Sequence, residues 1–461
     1  MRSTRTIRWV LLVLSLSVYG GAQDTSGAQP STAPAPAFGQ SAPILNPENP
    51  PVSGLDEPGL ELKSSGRSFF APAAQVSQSA ETNAGNEFGR GPVTGVTRFL
   101  GALDLQKFWA KTDFLAEYLG GGAFYSKDGD VRQLQSLGVE GITRWRTGQG
   151  TIRDAFSYLP EGALGGGYGG LPGLGLTNGG ISTGEGGVAG LHSVSQGSVG
   201  LIPRLSNSAM LDIVQAITPK TALTVAGGFA NVHYFDNTLE FINSDQTTAE
   251  GGFSHLLNRH DQIGAVYAYQ LFRFPQSTGG QMQNHIVNLR WSHTLSGRLS
   301  LIIGAGPQYT IIQNNFGNPD EKRWSENVKA QVRYRFVRTS FVLAYEKFVS
   351  SGSGFFAGAD TQVVRFAVHR EMSRNLDLRG DIGYSHNKSL QTFLGIPFGG
   401  TSFDHGFAGA ILRKHFGRVY DLFVAYRYSG LGLNDSFESS SAQRHTGAFG
   451  VEWHPTPKRI E

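Results

Sequence analysis

The sequence predicts an all-β fold, a transmembrane, antiparallel, up-and-down β-barrel of about 18 strands. From residue 67 onward, runs of about 10 to 15 residues alternate apolar with polar or small side chains, which is the period of a β-strand. The connections between these runs alternate between short and long. The chain also contains 62 Gly and only 16% charged residues, against about 25% in an average soluble protein. This composition is unlike that of a helical enzyme.

The alternation is clearest in "NVKAQVRYRFV". Its two faces consist of Val328, Ala330, Val332, Tyr334 and Phe336, and of Lys329, Gln331, Arg333 and Arg335. The run "LDLRGDIGY" repeats this design and contains Arg379-Gly380-Asp381, a triplet that resembles a cell-adhesion motif. Because neighbouring side chains of a strand point to opposite faces, we expect Gly380 to face lipid and the two charged residues to face a lumen. The triplet is therefore predicted to be part of a barrel wall and not an adhesion motif.

The connections fall into two classes. Tight ones lie near residues 109, 218, 259, 296, 338, 373 and 417, and longer polar ones lie around 81–93, 159–205, 236–246, 275–282, 314–322, 350–358, 388–401 and 432–441, with a short exception at 127–130. Outer-membrane barrels have short periplasmic turns and longer extracellular loops. Over residues 67–454 the pattern resembles the bacterial outer-membrane β-barrel superfamily and is porin-like. The resemblance implies a place in the bacterial outer membrane, contact with its lipid, and insertion by the barrel assembly machinery.

Counting the alternating runs gives strand starts near residues 68, 96, 112, 131, 150, 207, 221, 247, 262, 283, 298, 324, 339, 360, 375, 402, 418 and 443. The first run contains Pro72, which is unusual inside a strand. We keep it because a closed antiparallel barrel needs an even number of strands. In the last run Phe449, Val451 and Trp453 share one face, and the resemblance implies that a terminal aromatic residue serves as an assembly signal. Here a tail, residues 455–461, follows the aromatic residue.

Two segments precede the barrel. Residues 1–22 have three Arg, a short apolar run and small residues near Ala22, the layout of a secretory signal peptide. Residues 23–66 are rich in Pro, Ser and Ala without apolar periodicity, which predicts a disordered periplasmic linker. The alternative is a docking arm for a periplasmic partner. Without the signal peptide, 36 basic residues balance 36 acidic ones, so the net charge predicts no nucleic-acid partner.

Aromatic residues cluster at strand ends and predict two girdles at the membrane interfaces. The predicted girdle near the tight turns contains Phe108, Trp109, Trp291 and Phe336, and the one near the long connections contains Tyr234, Phe274, Tyr309, Phe348, Tyr384 and Tyr428. The alternative is aromatic packing in a soluble β core, such as a secreted β-propeller.

Many charged residues fall on the faces that we predict to point inward. An Arg or Lys in contact with lipid at the membrane midplane would cost about 2–4 kcal/mol, so a wet lumen is the expected location. The inward set includes Asp104, Asp113, Glu117, Glu140, Arg144 and Glu452, and the candidates for lining or selectivity are Lys329, Arg333, Arg335, Glu346, Arg365, Arg379, Asp381, Asp421 and Arg427. These residues form either a ladder of paired charges, with Arg365 opposite Asp381, or a positive strip that attracts anionic solutes.

The connection at 159–205 is Gly-rich and contains chance matches to GxGxxG (165–170) and GxSxG (180–184), without the strand–turn–helix context that either motif needs. It could fold into the lumen or remain outside. No cysteine is present, and the 12 His show no paired metal-ligand spacing, so we predict no enzyme activity and no cofactor. About 18 strands leave room for water. The sequence therefore predicts a channel for small hydrophilic solutes, or alternatively a non-conducting structural or ligand-binding barrel, and leaves a homo-oligomer open.

Overall fold

The structure is a computed structural model that describes residues 68–83, 91–127, 129–159, 204–235, 241–275, 280–296, 298–313, 320–352, 354, 356–390, 392–393, 396–397, 402–434, 439–456 and 458–459. The predicted signal peptide, the predicted linker, most of the 159–205 connection and both glycine motifs lie outside these residues. No helix in the described ranges is long and apolar enough to cross a membrane.

In the described part of the chain there are eighteen long strands and three two-residue strands. In chain order they are β1 Phe69–Thr82, β2 Val93–Phe108, β3 Thr112–Tyr125, β4 Val131–Trp145, β5 Gly148–Leu159, β6 Arg204–Thr218, β7 Thr221–Tyr234, β8 Ser244–Leu256, β9 Asp261–Arg273, β10 Gln281–Ser296, β11 Leu299–Gln313, β12 Glu321–Arg335, β13 Thr339–Ser350, β14 Ala359–Ser373, β15 Leu376–Ser389, β16 Thr392–Phe393, β17 Ile396–Pro397, β18 Ser402–Phe416, β19 Tyr420–Asn434, β20 Ser439–Trp453 and β21 Lys458–Arg459. The predicted strand count is confirmed, and every predicted start lies within four residues of a long strand's first residue.

The long strands close into a barrel. Each pairs antiparallel with its neighbours along the chain, and β15 pairs with β18 across the β16–β17 hairpin. The first strand, β1, pairs with β2 over its whole length and with β20 from Ala74↔Trp453 to Glu81↔Thr446. Pro72 is opposite Leu103 of β2 and lies outside the segment of β1 that pairs with β20. It is thus at an edge of the pairing, where a missing N–H is tolerated.

The two faces of the barrel wall differ in polarity, and the apolar face is the outer one. Outward side chains such as Ile382, Val424 and Trp324 are 54%, 62% and 69% exposed. Inward positions one residue away, such as Asp381 and Ala425, are buried. A soluble protein would bury its apolar face and hydrate its polar one. The outer surface of this barrel therefore suits hydrocarbon, and the barrel spans a membrane.

The barrel has a short end and a long end. At the short end, eight connections of two to four residues join β2–β3, β4–β5, β6–β7, β8–β9, β10–β11, β12–β13, β14–β15 and β18–β19. Each contains one basic residue and no acidic residue: Lys111, Arg146, Lys220, Arg259, Arg298, Arg338, Arg374 and Arg418. The other nine connections lie at the long end. The predicted alternation is confirmed, with 146–147 as a further tight turn.

Three members of the predicted girdles face inward instead of outward. Tyr234, Phe274 and Phe348 are 5%, 2% and 2% exposed. They lie in the same register as the polar inward side chains of β7, β9 and β13. The outward girdle at the long end contains exposed Trp324 and Tyr384. The prediction for the three buried rings was wrong because it considered only their distance from the strand end. It did not consider which face of the strand each ring occupies in the alternation of inward and outward side chains.

The residues after β20 return to the barrel. His454 donates its backbone N–H to the Val419 carbonyl at 2.9 Å. After Pro455 the chain forms β21, which pairs with β1 through Phe69↔Arg459 and Phe70↔Lys458. The tail thus extends the seam between the first and last strands towards the short end.

Candidate functional site: the lumen of the barrel

The inward side chains of β12 and β13 form an ion pair. Lys329 and Glu346 are direct register partners, and Lys329 Nζ lies 3.3 Å from Glu346 Oε1. Both side chains are almost fully buried. Arg333, four positions after Lys329 on β12, is half-buried on the same face, and Arg335 is exposed at the end of the strand beside the 336–338 turn. The predicted four-residue face therefore runs from the interior to the short rim.

Arg365 and Asp381 form the cross-strand pair predicted for β14 and β15. Arg365 is paired in register with Gly383, so Asp381 lies on its diagonal. Arg365 Nη2 donates to Asp381 Oδ2 at 3.1 Å. Two guanidinium groups also lie near the ring of Phe407 on β18. The Arg365 group of β14 is 5.8 Å from the ring centre, and the Arg427 group of β19 is 5.2 Å from it. An aromatic face attracts such cations, so Phe407 holds both groups close to the wall.

A second group of charges lies towards the short end of the lumen. Arg379 Nε is 3.0 Å from Asp377 Oδ2. His415 of β18 bridges two carboxylates, with Nε2 at 3.2 Å from Asp377 and Nδ1 at 2.7 Å from Asp421. His454, beyond the last long strand, places Nε2 3.2 Å from Asp421 Oδ1. The Asp421 carboxylate raises the pKa of His454 above its ordinary value, and partial burial opposes this effect only in part.

Four of the remaining inward charges that the sequence predicted are also paired, whereas Asp104 of β2 is half-buried outside these pairs. Arg144 Nη1 lies 2.6 Å from Asp113 Oδ2. Arg153 contacts Glu140 at 2.8 Å. Glu452 is 3.5 Å from Arg413. Sequence reasoning missed the group at the seam of β1, β2 and β20, where Glu81 binds Arg98 at 2.7 Å and also binds Arg444. The sequence could have indicated this group, because it places opposite charges on strands that become neighbours in the barrel.

Residues 351–358 lie between β13 and β14, and we call them the apolar span; those that the structure describes, 351–352, 354 and 356–358, lie in the lumen near its long end. The Ile242 N–H donates to the Gly354 carbonyl at 2.9 Å, and a Cβ on Gly354 would lie 2.8 Å from the Tyr234 ring. Ala357 packs in a buried cluster with Phe272, Phe274, Met282, Ile312, Val349 and Leu390. The inward rings of β7 and β9 are thus covered by this span.

The apolar span also reaches the opposite wall. Phe356 is 2% exposed, and its ring centre lies 5.6 Å from that of Phe403 on β18. Strands β7 and β18 are nine strands apart in both directions around the 18-strand barrel, so they are diametrically opposed. A segment that contacts Tyr234 on one side and Phe403 on the other crosses the bore and narrows it at this level.

Glycine makes this crossing possible. Gly352, Gly354 and Gly358 have φ of 87°, 83° and 96°, a region that other residues rarely adopt. The sequence "SSGSGFFAGA" combines these glycines with two phenylalanines. That combination is the signal that sequence reasoning missed when it considered infolding only for the 159–205 connection.

Within the described ranges, no group of three or more His, Asp or Glu side chains is arranged to hold a metal ion. The histidines near carboxylates act as ion-pair partners, as His415 and His454 do with Asp421. The described inner wall carries a charged layer and an apolar layer.

Comparisons with known proteins return matches to solved structures alone. No protein-family model and no curated protein matches the sequence. Pseudomonas aeruginosa OccK5 (OpdH) is similar at 12% identity and a TM-score of 0.42, covering 85% of this chain and 98% of that chain. OccK2 (OpdF) of the same organism, in complex with glucuronate, is 10% identical with a TM-score of 0.42, and the match covers 84% of this chain and 97% of that chain. Acinetobacter baumannii OccAB3 is 11% identical with a TM-score of 0.41, and the match covers 84% of this chain and 99% of that chain.

Since these TM-scores are below 0.5, the architecture rests on the strand pairing of this chain itself. Eighteen antiparallel strands, an apolar outer face, a charged inner face and alternating short and long connections are the features of outer-membrane barrels. The chain is a membrane-spanning β-barrel of the bacterial outer-membrane type.

Proposed function

We propose that the barrel is a channel through which small hydrophilic solutes diffuse across the outer membrane. The observation that carries this proposal is an 18-strand wall whose inward face is charged and polar. Barrels of 16 to 18 strands leave an aqueous channel, whereas barrels of about eight are filled by side chains. The charges of this wall are largely buried and are stabilised by partners on neighbouring strands, such as Lys329 with Glu346 and Arg365 with Asp381. No step of this function requires catalysis.

The contacts of the wall favour weak ion selectivity. Lys329, Arg365 and Arg379 each lie next to a carboxylate, namely Glu346, Asp381 and Asp377. Paired charges largely cancel at the distance of a passing solute, so these contacts support the paired ladder over the positive strip. We assign the lining role to the nine candidates named above, with Arg335 at the short rim.

The apolar span is the one observation that favours the second candidate function, a non-conducting barrel. It crosses the bore between β7 and β18 and covers the inward aromatic residues. In the channel that we propose, it acts as a constriction, because a short apolar segment reduces the open area without neutralising the charged layer.

Single-channel recording in planar lipid bilayers tests the proposal. The wild-type protein should give discrete conductance steps and a small reversal potential in a salt gradient. Phe356→Ala should raise the conductance, because it removes a ring that bridges the span to Phe403. Phe449→Ala, on the exposed outer face, is the matched control and should leave conductance unchanged.

The opposite result would be an absence of steps from protein that migrates on a gel in the heat-modifiable manner of a folded barrel. That outcome would replace the channel by the non-conducting barrel. Equal conductance of wild type and Phe356→Ala would instead remove the constriction role of the span while leaving the channel in place.

A further inference from the structure

The two ends of the barrel carry opposite charge. The eight turns at the short end contain eight basic residues and no acidic one, whereas the nine connections at the long end contain ten Asp or Glu and two Lys or Arg. The net charge after signal-peptide removal is near zero, so the asymmetry is invisible in the composition. It becomes visible once the strand pairing assigns each connection to an end.

The eight basic residues of the short turns, which we call the basic rim, are all exposed. Three of them lie directly beside outward aromatic residues. Trp109 is in the same turn as Lys111, Trp145 precedes Arg146, and Tyr420 follows the turn of Arg418, with all three rings 42–51% exposed. Outward aromatic rings occupy the headgroup level of a membrane. The basic rim therefore lies at or just beyond the lipid phosphates of that leaflet.

The basic residues of the rim are far enough apart for each of them to bind a separate small ligand. Successive turns are two strands apart, which is roughly 10 Å at the usual spacing of paired strands. The basic residues surround the barrel instead of converging on one pocket. Guanidinium and ammonium groups bind phosphate oxygens well, and Arg does so through two N–H donors.

We propose that the basic rim is a binding surface for anionic phospholipid headgroups of the periplasmic leaflet. Each turn contributes one cation to the phosphodiester of an adjacent lipid, and the aromatic girdle beside it packs on the same lipid's glycerol region. The surface is independent of conduction through the lumen. It would enrich anionic lipid around the barrel and fix the depth of the short end.

The tryptophans of the mature chain provide the readout. Residues 23–461 contain five Trp, of which Trp109, Trp145, Trp291 and Trp453 lie near the short end, and Trp324 lies near the long end. The protein is placed in phosphatidylcholine vesicles that contain either phosphatidylglycerol with brominated acyl chains or an equal fraction of brominated phosphatidylcholine. The brominated phosphatidylglycerol should quench the tryptophan fluorescence more strongly. The expected preference is about fivefold, the contribution of one cation at an anionic surface, and it should fall sharply in 1 M NaCl.

The test variant carries Arg259→Gln, Arg338→Gln, Arg374→Gln and Arg418→Gln, all at exposed turn positions. Its preference should drop towards one. The matched control neutralises four exposed basic residues of the other end, Lys127→Gln, Arg273→Gln, Lys322→Gln and Lys388→Gln, and should keep the wild-type preference. Heat-modifiable migration verifies that both variants fold.

Equal quenching by the two brominated lipids in the wild type would overturn the proposal, and so would an unchanged preference in the rim variant. A further contradicting result is wild-type protein that co-sediments with purified peptidoglycan and loses this binding in the rim variant, while lipid preference stays the same. Free inorganic phosphate at 10 mM distinguishes the source of the anion, since retained lipid preference in its presence supports membrane headgroups and abolished preference contradicts them.

Discussion

At the residue scale, the wall of the lumen is organised as ion pairs between neighbouring strands. Asp113 of β3 and Arg144 of β4 illustrate this arrangement near the short end, with 2.6 Å between Oδ2 and Nη1. The Asp113 side chain is 2% exposed and that of Arg144 is 17% exposed. A carboxylate so well covered depends on its partner, because removal of that partner leaves a charge without compensation.

Arg144→Met should lower the free energy of unfolding by about 2–3 kcal/mol, since it leaves Asp113 buried and unpaired. The double variant Arg144→Met with Asp113→Leu should recover part of this loss. Urea titration of the protein folded into lipid vesicles measures both. Arg273→Met, at an exposed position of the long end, is the control. An equal loss in the single and double variants would show that the ion pair is not the cause.

The alternation of side chains along each strand identified these inward charges, but it was not used to place every inward aromatic ring. Arg365 and Asp381 were predicted to meet, and they do. Tyr234 and Phe348 were assigned to the outer girdle, yet they face inward to meet other buried apolar groups. A large ring near a strand end fits either a membrane interface or an apolar cluster, and the partner that decides between them lies on a distant strand.

At the element scale, the C-terminal tail reinforces the seam of the barrel. The seam between β1 and β20 joins the two ends of the chain, and β21 adds two further residue pairs to it. His454 connects this tail to the wall through Asp421 of β19. The tail after Trp453 is therefore part of the closure.

The tail predicts a pH dependence of stability. The pKa of His454 is raised in the folded protein, so its contribution is fully present below the unfolded pKa of about 6.5. It is lost as the pH rises through the folded pKa. Unfolding in urea across pH 5.5–9 should therefore show a larger decline with rising pH for the wild type than for His454→Ala.

His260→Ala is the control for this pH series, because His260 lies in a turn and contacts the Thr294 carbonyl instead of a carboxylate. It should keep the wild-type decline. Groups that do not contact Asp421 are the same in all three proteins, so the difference between the curves reports on the contact of His454 with Asp421. Parallel curves for wild type and His454→Ala would contradict the assignment.

The elements themselves were the most predictable part of this protein. Strand periodicity and connection length are local properties, which is why the starts of β3, β4, β7, β13 and β18 were predicted to the residue. The apolar span was not predicted. Its path requires Tyr234 and Phe403, which approach it only after β7 and β18 face each other across the closed barrel.

At the scale of the whole molecule, the outer surface is mostly apolar at mid-strand, with Asp154 of β5 as an exposed exception that accepts a hydrogen bond from Asn207. Ile382→Arg, at the middle of β15, should reduce the free energy of unfolding in vesicles by about 2–4 kcal/mol, because it places a cation in hydrocarbon. Val131→Arg, at the long-end start of β4 and 68% exposed, should cost at most about 1 kcal/mol. Equal costs at both sites in urea titrations would argue against a membrane-embedded band at this depth.

The sequence by itself determined the strands, their alternating faces and the alternation of connection lengths, because each depends on neighbours along the chain. That was sufficient to predict the barrel and to place Arg379-Gly380-Asp381 within its wall. Apart from the pair of Arg365 and Asp381, only the tertiary structure decided which charges pair, how the apolar span crosses the bore, and that the basic turns gather at one rim. These features depend on closure, which brings together residues that are hundreds of positions apart and sorts the charges of a nearly neutral chain to opposite ends.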